Sequence, residues 1–171
     1  MPVIVEELKA ALDQVPPKLP KEWRCAPWTL AVKEELCRWG LVHGLYVYAH
    51  SVEKRFRQTW PKDKRPRYEW LFDVTCLAYT DEDYLDQVAL VAECEWGCER
   101  EIYDDFEKLL VARADVRVMV FDGGEIDGAD KFSEFEEYIR RFTLTGPDDL
   151  YLLAAYCEDL NRFEYRVLRG G

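Results

Sequence analysis

Apolar and polar residues along this chain repeat with two periods, and the switches between the periods mark its elements. Residues 1–12 form a short amphipathic segment, ended by Pro16-Pro17-Lys18-Leu19-Pro20. A helix is predicted from near Pro27 to Trp39, because about 100° per residue sets Trp28, Val32, Leu36 and Trp39 on one stripe. Gly40 is its expected stop. Leu45–Ala49, Tyr68–Tyr79 and Gln87–Trp96 then read as strands, the last two joined by the acidic turn Thr80–Asp86. Helical spacing returns over Glu101–Arg113, with Ile102, Phe106, Leu109 and Leu110 as the core stripe. Val116–Phe121 is a β-branched run that predicts a buried strand ending at Gly123-Gly124. Ser133 with Glu136 is a capping-box pattern for a helix carrying Phe135, Tyr138, Ile139 and Phe142. Leu150–Cys157 and Phe163–Leu168 close the chain as strands. The order is helix, three strands, helix, strand, helix, two strands, which predicts a mixed α/β fold.

Length and composition narrow this picture. At 171 residues the chain suits one domain with one core. No internal repeat or low-complexity tract interrupts it. Aromatic content is high, at 14%, but the rings are spread along the chain and are read as core and half-buried sheet residues. Cys25, Cys37, Cys76, Cys94, Cys98 and Cys157 have neither a disulfide-framework nor a zinc spacing, and most lie in apolar runs. Buried free thiols in a reducing cytoplasm are expected. The N-terminus lacks a secretory pattern and no run approaches a membrane span, so a cytoplasmic protein with no membrane partner is expected.

Charge changes the picture more. A net charge of -11 argues against holding nucleic acid by bulk attraction. The charge is uneven, however. Lys54, Arg55, Arg57, Lys62, Lys64, Arg65 and Arg67 face Asp63 alone within residues 54–67, whereas Asp73 to Lys108 holds twelve acids against Arg100 and Lys108. The basic loop is the natural place for phosphate contacts through Arg55, Arg57, Lys62, Lys64, Arg65 and Arg67, which position a duplex without reading its sequence. It can equally be a solvated face. Trp60 can stack on a base or pin the loop to the body.

Three acids stand where a structural strand rarely puts them: Asp73 within Trp70–Leu77, and Glu93 and Glu95 within Val88–Trp96. A carboxylate withdrawn from water is costly unless a positive or hydrogen-bonding group meets it, and a hard divalent cation can satisfy several at once. Strand alternation sends Glu93 and Glu95 to one face and Cys94 and Trp96 to the other. If the two strands pair as a hairpin, Asp73 and Glu93 can converge on one ion; the alternative is exposed, merely solvated acids. Glu35 falls inside the helical stripe Trp28–Trp39, with Lys33 and Glu34 outside it, and is either a further ligand or a salt-bridged residue.

The segments Glu69-Trp70-Leu71-Phe72-Asp73, Ala92-Glu93-Cys94-Glu95-Trp96-Gly97, Asp105-Phe106-Glu107-Lys108-Leu109-Leu110 and Arg117-Val118-Met119-Val120-Phe121 together resemble the PD-(D/E)XK nuclease superfamily over residues 28–121. That resemblance implies a restriction-endonuclease-like fold, with a mixed central sheet flanked by helices, as a single domain over residues 21–171 preceded by an N-terminal helix and Pro-rich linker over residues 1–20. It implies hydrolysis of phosphodiester bonds of DNA or RNA with Mg²⁺ or Mn²⁺, with Asp73 and Glu93 as metal ligands; the helical stripe adds Glu35 in support. It also implies nucleic acid as partner, with a homodimer where both strands are cut, in a restriction-like or defence-associated setting. The chain departs from the pattern at Glu95, where the superfamily carries lysine; Glu95 there acts as base or second-metal ligand. Other members move the lysine to the following helix, which makes Lys108 the catalytic candidate, although its position about 150° from the apolar face predicts that it points away from the sheet. Two other classes stay open: a nuclease-like binding module that has lost catalysis, and an acidic immunity or inhibitor protein that neutralises a basic partner.

Overall fold

The computed structural model of the chain describes residues 2–19, 25–52, 56, 60, 62, 65–124 and 129–171, with the side chains of Pro2, Cys25 and Ala129 excepted. Among these residues it forms α1 (Pro2–Leu12), a 3-10 turn (Pro16–Lys18), α2 (Cys25–Val42), β1 (Tyr46–Tyr48), β2 (Val74–Tyr79), β3 (Leu85–Glu95), α3 (Glu99–Val111), β4 (Val116–Asp122), α4 (Ala129–Arg141), β5 (Leu150–Cys157) and β6 (Arg162–Arg169). The strands are hydrogen-bonded neighbours in chain order, β1-β2-β3-β4-β5-β6. Pairing is antiparallel for β1 with β2 and for β5 with β6, and parallel for β4 with β5. The chain is therefore an α/β protein with a mixed sheet. Two compact units divide it, Met1–Val91 and Ala92–Gly171, and β3 runs from one into the other.

In the first unit, the stripe read from the sequence is the buried face of α2: Trp28, Val32, Leu36 and Trp39 are all buried. The helix does not stop at Gly40 but continues to Val42, and the left-handed residue that follows is Gly44, at φ 75°. Gly40 has a packing task. A Cβ there would lie 2.7 Å from Cys76 Sγ and 2.8 Å from Val47 Cγ2, so only a bare backbone lets α2 approach β1 and β2 this closely. Cys76 beneath it is a neutral filler, its thiol pushed up to about 12 by burial. Gly40→Ala gains about 1 kcal/mol of helix propensity, but overpacking this contact costs about 1–3 kcal/mol. A lower urea midpoint with an unchanged m-value is the expected result, and an unchanged or raised midpoint would contradict the packing role.

The predicted strand Tyr68–Tyr79 is shortened, because β2 begins only at Val74. Leu71 takes a left-handed φ of 68° and Phe72 N–H closes back on the Trp70 carbonyl at 2.9 Å, which breaks the extended run. The apolar letters Trp70 and Leu71 are in fact exposed. Asp73 consequently precedes the strand instead of lying at its centre.

The second unit is built around aromatic packing. Phe106 and Phe135 meet at 4.1 Å between ring centroids, with Phe121 and Tyr151 against them at 5.3 and 6.2 Å. α4 carries the chain between the parallel strands β4 and β5, as such pairs require. The expected capping box at Ser133 and Glu136 is absent: both are exposed residues inside a helix that is already formed at Ala129. The buried stripe of α4 starts one residue before Ser133, at Phe132, and continues through Phe135 and Ile139.

Candidate functional site

Asp73, Glu35 and Glu93 each have a cationic partner within their own unit. In the first unit, Lys33 of α2 is buried although helical periodicity places it off the stripe, because its stem runs to Asp73 and Glu69. Its Nζ lies 2.6 Å from Asp73 Oδ1 and 3.2 Å from Glu69 Oε2. Burial alone pulls this ammonium down, but the hydrogen bonds and charges of Asp73 and Glu69 more than offset it and hold it above its ordinary range. Glu35, buried as expected from its place in the stripe, has Oε1 2.7 Å from Lys18 Nζ and Oε2 3.7 Å from Arg38 Nε. Both of its oxygens are thus taken up, the salt-bridged alternative read from the sequence.

In the second unit, Glu93 near the end of β3 has a side chain only 4% exposed, and its Oε1 lies 3.3 Å from Lys108 Nζ. The same ammonium lies 2.6 Å from Asp105 Oδ1, one turn earlier on α3. This corrects the expectation that Lys108 points away from the sheet. Its Cα does stand off the apolar face, but the flexible stem curls back and delivers the charged end to Glu93. Burial lowers the Lys108 ammonium, and the Asp105 hydrogen bond and Glu93 charge raise it by more, so it stays protonated well above the ordinary lysine range. Asp105 was missed as a functional residue. Its signal was the helical i, i+3 spacing to Lys108.

Glu95 is turned differently. Its Oε1 accepts the backbone N–H of Trp96 at 2.7 Å and of Gly97 at 2.6 Å, fastening the end of β3 to the turn before α3. Its second carboxylate oxygen takes no hydrogen bond from the described residues. Helix α3 itself starts at a reciprocal cap in which Cys98 N–H donates to Glu101 Oε2 at 2.9 Å. That cap fixes where Asp105 and Lys108 fall on the helix.

Of the basic loop, Arg55, Arg57 and Lys64 lie outside the described residues. Lys62 is exposed, and Arg65 Nε donates to the Trp60 carbonyl at 2.9 Å, so Trp60 and Arg65 brace one another. Arg67 lies on the edge of the sheet beside β1, bridged to Tyr48, with its guanidinium carbon 4.9 Å from the centre of the Tyr46 ring. Among the described residues Arg67 forms no ion pair.

No group of three or more His, Cys, Asp or Glu side chains suited to a metal ion occurs among the described residues. A hard cation such as Mg²⁺ needs less than that: one or two carboxylates, completed by waters and by substrate phosphate. Glu93 and Asp105 are the two carboxylates that come together here, on the ammonium of Lys108. Among the described residues no helix is long and apolar enough to cross a membrane. Comparison with family models, with curated proteins and with solved structures finds no match to this chain.

Proposed function

We propose that this protein is a metal-dependent nuclease of restriction-endonuclease-like fold that hydrolyses phosphodiester bonds of DNA or RNA. The observation that carries this reading is the 3.3 Å approach of Lys108 Nζ from α3 to the buried Glu93 of β3. A strand acid with a lysine brought to it from the next helix supplies the acid-and-lysine pair that the Glu-Cys-Glu segment lacks by itself. Glu93 and Asp105 would hold the divalent cation; the sequence resemblance alone names Asp73 as a ligand. The cation, when bound, supplies Lewis acidity toward the phosphoryl oxygen and a more acidic attacking water.

The remaining work falls to the chain. Lys108, kept cationic by its two acid neighbours, offsets negative charge developing on the phosphate. Glu95 is anchored through one oxygen, and its other oxygen would take the proton of the attacking water. Arg65, Arg67 and Lys62 supply phosphate contacts.

Incubation of the purified chain with single- and double-stranded DNA and RNA, with Mg²⁺ or Mn²⁺, is expected to give fragments that EDTA suppresses. Intact substrates in all of these combinations would reject the enzyme reading. A second reading, a nuclease-like binding module without catalysis, is favoured by the lysine partners of Asp73, Glu35 and Glu93, which balance those charges without any metal. Saturable Mn²⁺ binding that is lost in Glu93→Gln separates the two.

A further inference from the structure

The edge of the first unit at β1 gathers partly exposed aromatic rings around an arginine. Tyr46 and Tyr48 alternate with the buried Val47, so both rings stand on the same side of the strand. Arg67 lies against both, 4.9 Å from the Tyr46 ring centre and 5.7 Å from that of Tyr48, and its Nη1 donates to the Tyr48 hydroxyl at 3.2 Å. Tyr79 meets Tyr46 edge-on at 5.1 Å, and Trp70 lies 6.4 Å from Tyr48. Tyr46 and Trp70 are each 39% exposed, so substantial ring area remains in water. Beside them opens a pocket of about 240 Å³ lined by Tyr46, Val47, Arg65, Arg67 and the end of α2, with no carboxylate among the described residues of its wall.

Arg67 forms no ion pair among the described residues and uses one of its five donors on Tyr48, leaving the others for an anionic ligand. Exposed rings beside them select a ligand with flat apolar faces. A nucleic-acid strand with unstacked bases presents both at the spacing of one nucleotide, whereas a duplex keeps its base faces stacked inside and leaves the rings unused. The pocket volume is below the range for a whole drug-sized ligand, which suits one nucleotide unit of a longer strand. We propose that the β1 edge is a binding site for single-stranded nucleic acid, in which Arg65 and Arg67 take a phosphate and the open faces of Tyr46 and Trp70 take bases. As a choice of substrate this rests on the nuclease reading, but the binding stands apart from cleavage.

The test is fluorescence anisotropy of labelled single-stranded DNA and RNA oligonucleotides, with matched duplexes, on the full chain in EDTA so that cleavage plays no part. Single strands are expected to bind more tightly than duplexes, with affinity falling as salt is raised. Tyr46→Ala is expected to weaken single-strand binding about tenfold and Tyr46→Phe to leave it near wild type, because stacking needs the ring and not the hydroxyl. Arg67→Ala is expected to weaken binding and flatten its salt dependence. Duplexes binding as tightly as single strands, or Tyr46→Ala binding as well as wild type, would overturn the proposal. Ring-dependent binding without any cleavage would uphold it while sinking the nuclease reading. Circular dichroism of each variant checks that the fold persists.

Discussion

Glu93→Gln is expected to reduce metal-dependent cleavage by about a thousandfold, since Lewis-acid assistance contributes several kcal/mol and each 1.36 kcal/mol is about tenfold in rate. Glutamine keeps the volume and a hydrogen-bonding oxygen for Lys108 but removes the charge that, in the proposed function, would hold the metal. The fold should therefore survive, and the thermal midpoint is the control. Lys108→Met tests the partner. With its side chain half-exposed, screening by water makes its ion pairs weak contributors to stability. A purely structural Lys108 would thus leave activity near wild type. A catalytic one should cost about a hundredfold in kcat with little change in KM, the signature of an interaction made only in the transition state. Asp73→Asn belongs to the same series and should fall with Glu93→Gln. Full activity in Glu93→Gln, with the protein folded and metal present, would end the proposal for this site.

The second large effect is on stability and lies away from that chemistry. Arg117 of β4 is buried and donates from Nε and Nη2 to the Ala112 carbonyl at 3.0 and 2.6 Å, and from Nη1 to the Ala114 carbonyl at 3.0 Å. Its Nη2 also lies 2.8 Å from Asp149 Oδ1, and its guanidinium carbon is 5.1 Å from the centre of the Tyr151 ring. One guanidinium thereby ties the segment after α3 to the segment before β5. Arg117→Met removes these donors at once and leaves Asp149 without the cation that balances it. Breaking such a pair from one side costs about 3–5 kcal/mol, which at this chain length lowers the melting temperature by roughly 10 °C. Asp149→Asn keeps a hydrogen-bond acceptor for Arg117 and should lose less. A fall of no more than about 2 °C in Arg117→Met would show that the network contributes little.

Arg117 also shows why part of the molecule was hidden in its sequence. Within Val116–Phe121 the strand was legible from its β-branched run, yet nothing in the letters says that an arginine there is buried, because its partners are backbone carbonyls and an acid far along the chain. Lys33 is a similar case. Periodicity set it off the buried stripe, while a long flexible stem and the two acids at 69 and 73 brought it inside. The strand over Tyr68–Tyr79 was overextended for the opposite reason: Trp70 and Leu71 look like core, but the left-handed backbone at Leu71 turns the segment out before β2 begins.

What the sequence by itself determined is the set of elements and their inward faces. The stripes of α2 and α3, the buried runs of β4 and β5 and the buried position of Glu35 follow from periodicity, because burial of apolar area acts on every turn and every alternate strand residue locally. The tertiary structure decided which charges meet. Asp105 and Glu93 share the ammonium of Lys108, Glu35 takes Lys18, and Arg67 settles on Tyr46 and Tyr48. Such pairings depend on the reach of long side chains across elements distant in the chain, and an ion pair, unlike an apolar stripe, has no period for a sequence to display.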